Sequence, residues 1–298
     1  MRERRPLGNV LVATDFSAAG TYAVGRAARL PISPGSTLTV LHVLRPGCAP
    51  EDRADAEFAL GHAASVAADS VARVGRKGVS VFPHLTEGTP FVEIIRGARH
   101  GRNELIVVGR HGERTFRELL LGSTAERVIR KGDTSILVVA SRPAAQYQRP
   151  LVAVDCSDTS RRAVELAWRL AEPGERALEV VHACAPIPES ALRRASVVGE
   201  AAQQYHLEAT RQARAAVETF LAASDAATPA NIILREGDAR QIVLAVAAER
   251  DSDLLAIGTH GRSGLAHVLL GSVAEGVIRS AHCDVLVARA AGLPFKLP

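Results

Sequence analysis

Two stretches of the chain carry the same spaced set of glycine, histidine and serine residues. The first reads Gly-Arg-His-Gly from residue 109 and is followed, after nine residues, by Gly122 and Ser123. The second reads Gly-Thr-His-Gly from residue 258 and is followed, after nine residues, by Gly271 and Ser272. Glycine lets backbone amides approach a ligand closely, and the free amides at a helix start attract anions. The spacing therefore predicts a cradle suited to a polyphosphate in each stretch.

An ordinary structural interpretation competes with this one. Serine followed three residues later by glutamate, as from Ser123 to Glu126, is the pattern of a helix capping box. Glycines after a strand are also common turn formers. Because the spacing recurs while neighbouring positions differ, the ligand interpretation is favoured.

Carboxylate and imidazole side chains recur at matching places as well. Asp15 and Asp155 follow the first predicted strand of each half. A carboxylate there can accept hydrogen bonds from ribose hydroxyls, or it can cap the next helix together with the serine two positions later. Both alternatives stay open from the residues alone. His42 and His182 close the second strands, where a hydrogen-bonded interior histidine is the more common role.

The two stretches belong to two copies of one unit. Between residues 109–130 and 258–279, 12 of 22 positions are identical without a gap. Earlier segments match at an offset of 140 and later ones at 149, so the second copy carries nine extra residues within 186–205. The stretch 141–150 has proline near each end and is typical of a linker. We therefore expect one domain over residues 1–143 and a second over 148–298.

Each copy alternates short apolar runs with alanine-rich stretches of helical period. Continuous Val, Leu and Ile strands separated by helices indicate a parallel sheet covered on both faces. The predicted fold class is α/β, with two tandem Rossmann-like or flavodoxin-like domains of five parallel strands each. Such sheets bind ligands beyond the carboxyl ends of their strands, at the switch point in strand order.

Composition narrows the class of protein further. The 298 residues carry a net charge of +4, and their Lys and Arg residues are interspersed with acids, which argues against a nucleic-acid partner. No apolar run approaches the roughly 20 residues of a membrane span, and the first residues lack the pattern of a signal peptide. We expect a cytoplasmic protein that does not associate with membranes.

The cysteines fit the same expectation. The four cysteines form no CxxC pair and no zinc-binding spacing, so reduced thiols and no metal site are predicted. Cys156 and Cys184 follow adjacent predicted strands, which leaves redox sensing as a minor alternative to small buried thiols.

The sequence resembles the universal stress protein family over nearly its whole length. The resemblance is carried by the T-D-x-S after the first strand, the L-H-V of the second strand, and the doubled glycine and serine motif. It implies the adenine nucleotide alpha hydrolase-like fold and a cytoplasmic regulatory module of the stress response. It also implies ATP as ligand, with or without Mg²⁺, at one site per domain and with little or no turnover. The two units would pack as an intramolecular pseudo-dimer, further association would give a homodimer, and the protein partner stays unknown.

The resemblance assigns site residues by position, none of them catalytic and none a metal ligand. Asp15 and Asp155 would contact ribose, and the backbone of Val43 and Ala183 would hydrogen-bond adenine. The residues assigned to ribose and phosphates are Gly109, Gly112, Gly122, Ser123 and Thr124 in the first copy, and Gly258, Gly261, Arg262, Gly271, Ser272 and Val273 in the second.

The copies depart from the family pattern in different ways. In the first copy Glu113 would repel phosphate, and Arg110 and Arg114 are expected to compensate for it. Family members commonly open the last strand with proline. Ser135 and Asp284 stand there instead and are expected to affect strand geometry and dimer edges.

Two other function classes remain. A slow ATPase or self-phosphorylating enzyme could use Ser123 or Ser272 as acceptor, although the chain has neither a P-loop sequence nor kinase landmarks. A nucleotide-free interaction scaffold could use the insertion within residues 186–205 as its partner surface.

Overall fold

The computed structural model describes residues 4–110, 121–172, 178–184, 200–224, 230–259 and 270–289. We call the first half of the chain unit 1 and the second half unit 2. The elements of unit 1 are β1 (Val10–Ala13), α1 (Ala18–Ala27), β2 (Thr37–Leu44), α2 (Pro50–Arg73), β3 (Ser80–Glu87), α3 (Pro90–His100), β4 (Leu105–Gly109), α4 (Ser123–Lys131) and β5 (Ser135–Val139). Those of unit 2 are β6 (Pro150–Ala153), α5 (Asp158–Leu170), β7 (Leu178–Cys184), α6 (Glu200–Ala222), β8 (Ala230–Glu236), α7 (Ala239–Glu249), β9 (Leu254–Gly258), α8 (Ser272–Ser280) and β10 (Asp284–Ala288).

The strands form one ten-stranded sheet in the order β3-β2-β1-β4-β5-β10-β9-β6-β7-β8. Each unit contributes five parallel strands, which confirms the predicted fold class. In unit 1 the chain leaves β1 for β2 on one side and later returns to β4 on the other, so β1 and β4 flank the switch point. Loops diverge there and leave room for a ligand.

Both faces of the sheet are covered by helices, because the central strands are apolar on both sides. One buried cluster joins the sheet to α1, α2, α5 and α6, and the other joins it to α3, α4, α7 and α8. Each cluster contains residues of both units, so the core continues from one unit into the other.

The units meet where β5 pairs antiparallel with β10, and we call this contact, with the side chains that cross it, the inter-unit interface. Leu137 pairs with Leu286, its own counterpart at the offset of 149, so a pseudo-twofold axis passes between them. The Ser135 hydroxyl accepts a hydrogen bond from the Arg289 amide (3.1 Å). At the matching position the Asp284 carboxylate accepts one from the amide of Ala140 (2.8 Å). The two residues that replace the family's proline thus bind the opposite strand's end, as expected for a dimer edge.

Candidate functional site

A cleft of about 710 Å³ opens in unit 1 at the carboxyl ends of β1, β2 and β4. Its walls include six residues that the sequence assigned to the nucleotide site: Asp15, Val43, Gly109, Gly122, Ser123 and Thr124. These residues come from four separate segments, and the doubly wound topology brings them together. Their role in binding stays a prediction.

The cleft has lining residues that the sequence interpretation missed. The loop between β2 and α2 contributes Arg45, Gly47 and Cys48, and the start of α2 contributes Asp52. The Gly47 amide donates to the Glu87 carboxylate (2.9 Å), which holds this loop against the end of β3. The sequence could have indicated these residues, because every loop that follows a strand at the carboxyl edge of a parallel sheet can line the ligand cleft.

Asp15 and Asp155 occupy equivalent positions and make equivalent hydrogen bonds. The Asp15 carboxylate accepts from the amide (3.1 Å) and the hydroxyl (2.5 Å) of Ser17, whose hydroxyl oxygen accepts the Gly20 amide at the start of α1. Asp155 binds the amide and hydroxyl of Ser157 in the same way, at 3.0 and 2.6 Å. The structure therefore shows the capping alternative: the serine caps the helix, and the aspartate holds the serine in place. Asp15 is nevertheless exposed within the cleft, so a contact with ribose is sterically open.

The two strand-closing histidines have matching interior hydrogen bonds. His42 Nδ1 lies 2.8 Å from the Thr14 carbonyl oxygen, and His182 Nδ1 lies 2.7 Å from that of Val154. A carbonyl oxygen only accepts, so we assign the proton to Nδ1 in both rings. The ring of Phe16 stacks on His42 with a centroid distance of 4.3 Å. These contacts support the structural interpretation of both histidines.

Helix α4 begins at Ser123, and its N-cap is Gly122 without a side-chain capping bond. The capping-box alternative is therefore wrong, because Ser123 already lies inside the first turn. The Glu126 carboxylate pairs with Arg130 (3.1 Å) instead of reaching back to the cap. Helix α8 repeats this arrangement with Gly271 and Ser272. In each helix the first amides have no carbonyl partner within the helix, and in unit 1 this positive end borders the cleft.

Three of the predicted glycines have structural roles. The Gly122 amide donates to the Arg110 carbonyl oxygen (2.7 Å), so it is already used within the chain. A Cβ atom on Gly109 would lie 2.6 Å from the Ala19 carbonyl oxygen, and one on Gly258 would lie 2.5 Å from Thr159 Oγ1. Glycine is thus required at both strand ends by the close approach of α1 to Gly109 and of α5 to Gly258.

We expect Gly109→Ala to lower the free energy of unfolding by roughly 1–3 kcal/mol, because α1 must shift to admit the methyl group. Urea unfolding measures this change. The matched control is Gly61→Ala, since a Cβ atom there meets open space on the exposed side of α2. The control should raise stability by up to about 1 kcal/mol through helix propensity. Equal unfolding midpoints for Gly109→Ala and the unaltered protein would contradict the packing argument.

Arg110 corrects one sequence prediction. Its guanidinium was expected near the phosphates, but it is 8% exposed and crosses the inter-unit interface. There it donates to the carbonyl oxygens of Ala281 (2.6 Å) and Cys283 (2.9 Å). Burial lowers the pKa of Arg110, although a guanidinium stays charged at neutral pH. Arg114 and Glu113, the neighbours in that expectation, lie outside the described residues.

The described part of the unit 2 site mirrors that of unit 1. The Gly271 amide donates to the Thr259 carbonyl oxygen (2.9 Å), as Gly122 does to Arg110. Gly258 ends β9, Ala183 lies in β7, and Ser272 and Val273 open α8. Gly112, Gly261 and Arg262 lie outside the described residues.

The surroundings of Cys184 bear on the redox alternative. Burial and then the Glu236 charge raise the pKa of Cys184, which lowers its thiolate fraction and disfavours a redox role. All four cysteines carry free thiols. Among the described residues there is no group of three or more potential metal ligands. Within the same ranges no helix is both long and apolar enough to traverse a bilayer.

The fold is a tandem pair of doubly wound α/β domains, and the cleft of unit 1 lies at its switch point. The chain belongs to the universal stress protein family, whose sequence profile matches residues 6–140 and again 146–289. It is 26% identical over 219 residues to a universal stress protein of Mycobacterium tuberculosis, covering 71% of this chain and 70% of that one.

Two further comparisons span almost the whole chain. A universal stress protein of Mycolicibacterium smegmatis is 25% identical over 299 residues, which covers 94% of this chain and 96% of that one. The crystal structure of a universal stress protein from Archaeoglobus fulgidus superposes with a TM-score of 0.66 at 20% identity. It covers 95% of this chain and 99% of that one, and it supports the shared tandem fold.

Proposed function

We propose that this universal stress protein is a regulatory module that binds ATP in the cleft of unit 1 and at the matching position of unit 2. The observation that carries the proposal is the single cleft that gathers six separately predicted residues beside the exposed start of α4. Its volume of about 710 Å³ lies within the usual range for small-molecule sites.

Each part of the nucleotide has a matching part of the cleft. The phosphates would lie at the start of α4, where the amides of Ser123 and Thr124 and the helix dipole favour negative charge. The ribose would lie near the exposed carboxylate of Asp15. The adenine would lie along the end of β2, with the Val43 backbone as hydrogen-bonding partner and apolar side chains such as Ile94 beneath it.

Occupancy rather than turnover is the proposed output. The described lining contains no lysine, the side chain that P-loop enzymes place on the β- and γ-phosphates. Mg²⁺, where present, would enter on the phosphates themselves, because this ion is usually held by one or two carboxylates together with substrate phosphates. A cytoplasmic location, a homodimer of the chain and the domain limits 1–143 and 148–298 belong to the same proposal.

The decisive experiment is to release and quantify nucleotide from the purified protein and then to titrate ATP into the stripped chain by calorimetry. We expect two adenine nucleotides per chain at saturation and no ADP release over hours. Titration with ADP and with cyclic AMP tests the contribution of the γ-phosphate and of an open phosphate chain. A protein that carries no nucleotide and gives no heat with any of the three would favour the interaction scaffold. Steady ADP release would favour the slow enzyme.

A further inference from the structure

A buried polar cluster crosses the inter-unit interface. Asp284 of unit 2 is 2% exposed, and its carboxylate accepts hydrogen bonds from Arg26 Nε (3.0 Å), Tyr147 Oη (2.6 Å) and the Ala140 amide (2.8 Å). Arg26 belongs to α1 of unit 1, and Tyr147 lies in the linker at 1% exposure. The cluster therefore ties together unit 1, the linker and unit 2.

The charged side chains of this cluster make further hydrogen bonds and ring contacts. Arg26 Nη1 also donates to the Ala145 carbonyl oxygen (2.6 Å), and its guanidinium carbon lies 4.1 Å from the centre of the Tyr147 ring. Burial, with the charge of Asp284, raises the pKa of Tyr147, so its hydroxyl stays protonated and remains a donor. Removing either charge would leave the other buried without its counter-ion.

A comparison of the positions related by the pseudo-twofold axis shows that only one side of the interface carries this cluster. The counterpart of Arg26 at the offset of 140 is Leu166, and that of Tyr147 is Leu7. The counterpart of Asp284 at the offset of 149 is Ser135. All three counterparts are buried, with exposures of 0% for both leucines and 4% for the serine. The Arg26 and Asp284 ion pair therefore occurs on one side of the axis only, with leucine and serine at the matching positions on the other side.

We propose that this asymmetry makes the interface selective, so that the unit 1 face accepts only a unit 2 face, from the same chain or from a second copy. Two unit 1 faces would place Arg26 against Ser135, and two unit 2 faces would place Asp284 against Leu166. Each pairing buries an uncompensated charge, which is among the strongest penalties at an interface. The cognate pairing instead brings Arg26 and Asp284 together as an ion pair.

Two further arginines that cross the interface are also specific to one unit. Arg110 of unit 1 donates to backbone carbonyls of unit 2, and its counterpart there is Thr259. Arg289 of unit 2 donates to the Ile129 carbonyl oxygen of unit 1, and its counterpart is Ala140.

A third group of contacts is symmetric and cannot discriminate between the possible pairings of units. Glu126 and Arg130 of α4 exchange ion pairs with Glu275 and Arg279 of α8, at 3.0 Å and 3.5 Å across the axis. Because each unit contributes one acid and one base, any pairing of two units could form them. Selectivity therefore lies with the unit-specific side chains.

The test is a mutant cycle in the full chain that uses only residues already found at the counterpart positions. Arg26→Leu leaves Asp284 buried without its counter-ion, and Asp284→Ser does the same to Arg26. Each single variant should therefore lower the melting temperature by roughly 10 °C. The double variant makes both halves of the interface alike, and it should melt higher than either single variant. The matched control is the exposed Arg235 and Glu249 pair, whose variants Arg235→Leu and Glu249→Ser should change little.

Partner choice is tested by refolding the two single variants together. A swapped dimer joins Arg26 of one chain to Asp284 of the other, and its second contact lacks both side chains of the ion pair. We therefore expect a 1:1 complex of twice the 31.5 kDa chain mass, with a melting temperature above that of either variant alone. Strictly additive losses in the cycle would overturn the proposal. So would mixed variants that stay separate at their own lowered melting temperatures.

Discussion

A glutamate in place of Ser123 is expected to remove nucleotide from unit 1 while leaving α4 at least as stable as before. Ser123 is exposed at the first position of α4 and lines the cleft. A carboxylate there interacts favourably with the helix dipole, but it competes with phosphate for the same amides and repels it. Two like charges about 4 Å apart near a protein surface repel by about 4 kcal/mol, so the affinity of unit 1 should fall at least tenfold. Calorimetric stoichiometry should drop from two sites to one.

Two controls separate charge from shape in that experiment. Ser123→Ala removes the hydroxyl without adding charge and should keep both sites with a modest loss of affinity. Ser272→Glu makes the same change in unit 2 and should leave the unit 1 site intact. If Ser123→Glu bound two nucleotides with unchanged affinity, the phosphates would not lie at the start of α4.

The second large effect is expected at Glu104, which joins the units away from the cleft. Its carboxylate accepts from Arg162 Nη2 (2.7 Å), Arg169 Nη2 (2.8 Å) and the Gly8 amide (3.0 Å). Burial alone would raise the pKa of Glu104, but the bonds from Arg169, Gly8 and Arg162 outweigh it and lower the pKa to about 2. The charged form is thus favoured by folding.

The pH dependence follows from the direction of this shift. A folded pKa below the unfolded value of 4.5 contributes stability that is present above about pH 4.5 and lost as the pH falls towards 2. The full shift corresponds to about 3 kcal/mol, at 1.36 kcal/mol per unit. We expect Glu104→Gln to lose about that much stability at pH 7 and to flatten the acid limb of the stability curve between pH 4.5 and 2.

Denaturant unfolding between pH 2 and 7 measures both effects. The control is Glu249→Gln, because Glu249 pairs with Arg235 at the surface, where both side chains are 53% exposed. That variant should change stability by less than about 1 kcal/mol at every pH. A Glu104→Gln protein that kept the acid limb of the unaltered protein would show that other carboxylates govern it.

Much of the fold could be predicted because its determinants are local or repeated. Apolar runs such as residues 105–108, which are short and bounded by glycine, predict strands buried on both faces, and the doubled motif predicted two similar units. The gathering of Asp15, Val43 and Ser123 in one cleft followed from the rule that ligands bind at the switch point.

The errors came from contacts that no local pattern encodes. Arg110 lies in the glycine loop, but its hydrogen-bonding partners are 171 and 173 residues away in the other unit. The S-x-x-E pattern suggested a serine cap, whereas the helix begins one residue earlier than that pattern requires and is capped by glycine. The Arg26 and Asp284 pair depends on the antiparallel meeting of β5 and β10, which neither strand's sequence indicates.

The one-sided charge pair depends on the two units being joined in one chain. In a dimer of identical chains every substitution appears on both sides of the twofold axis, so a new charge enters both contacts at once. Joining the two units in one chain removes that constraint, because position 26 and its counterpart at 166 can mutate independently. An arginine and aspartate pair on one side, with leucine and serine at the matching positions on the other, requires two units that differ in sequence. The interface thus holds an arrangement that a dimer of identical chains cannot form on one side alone.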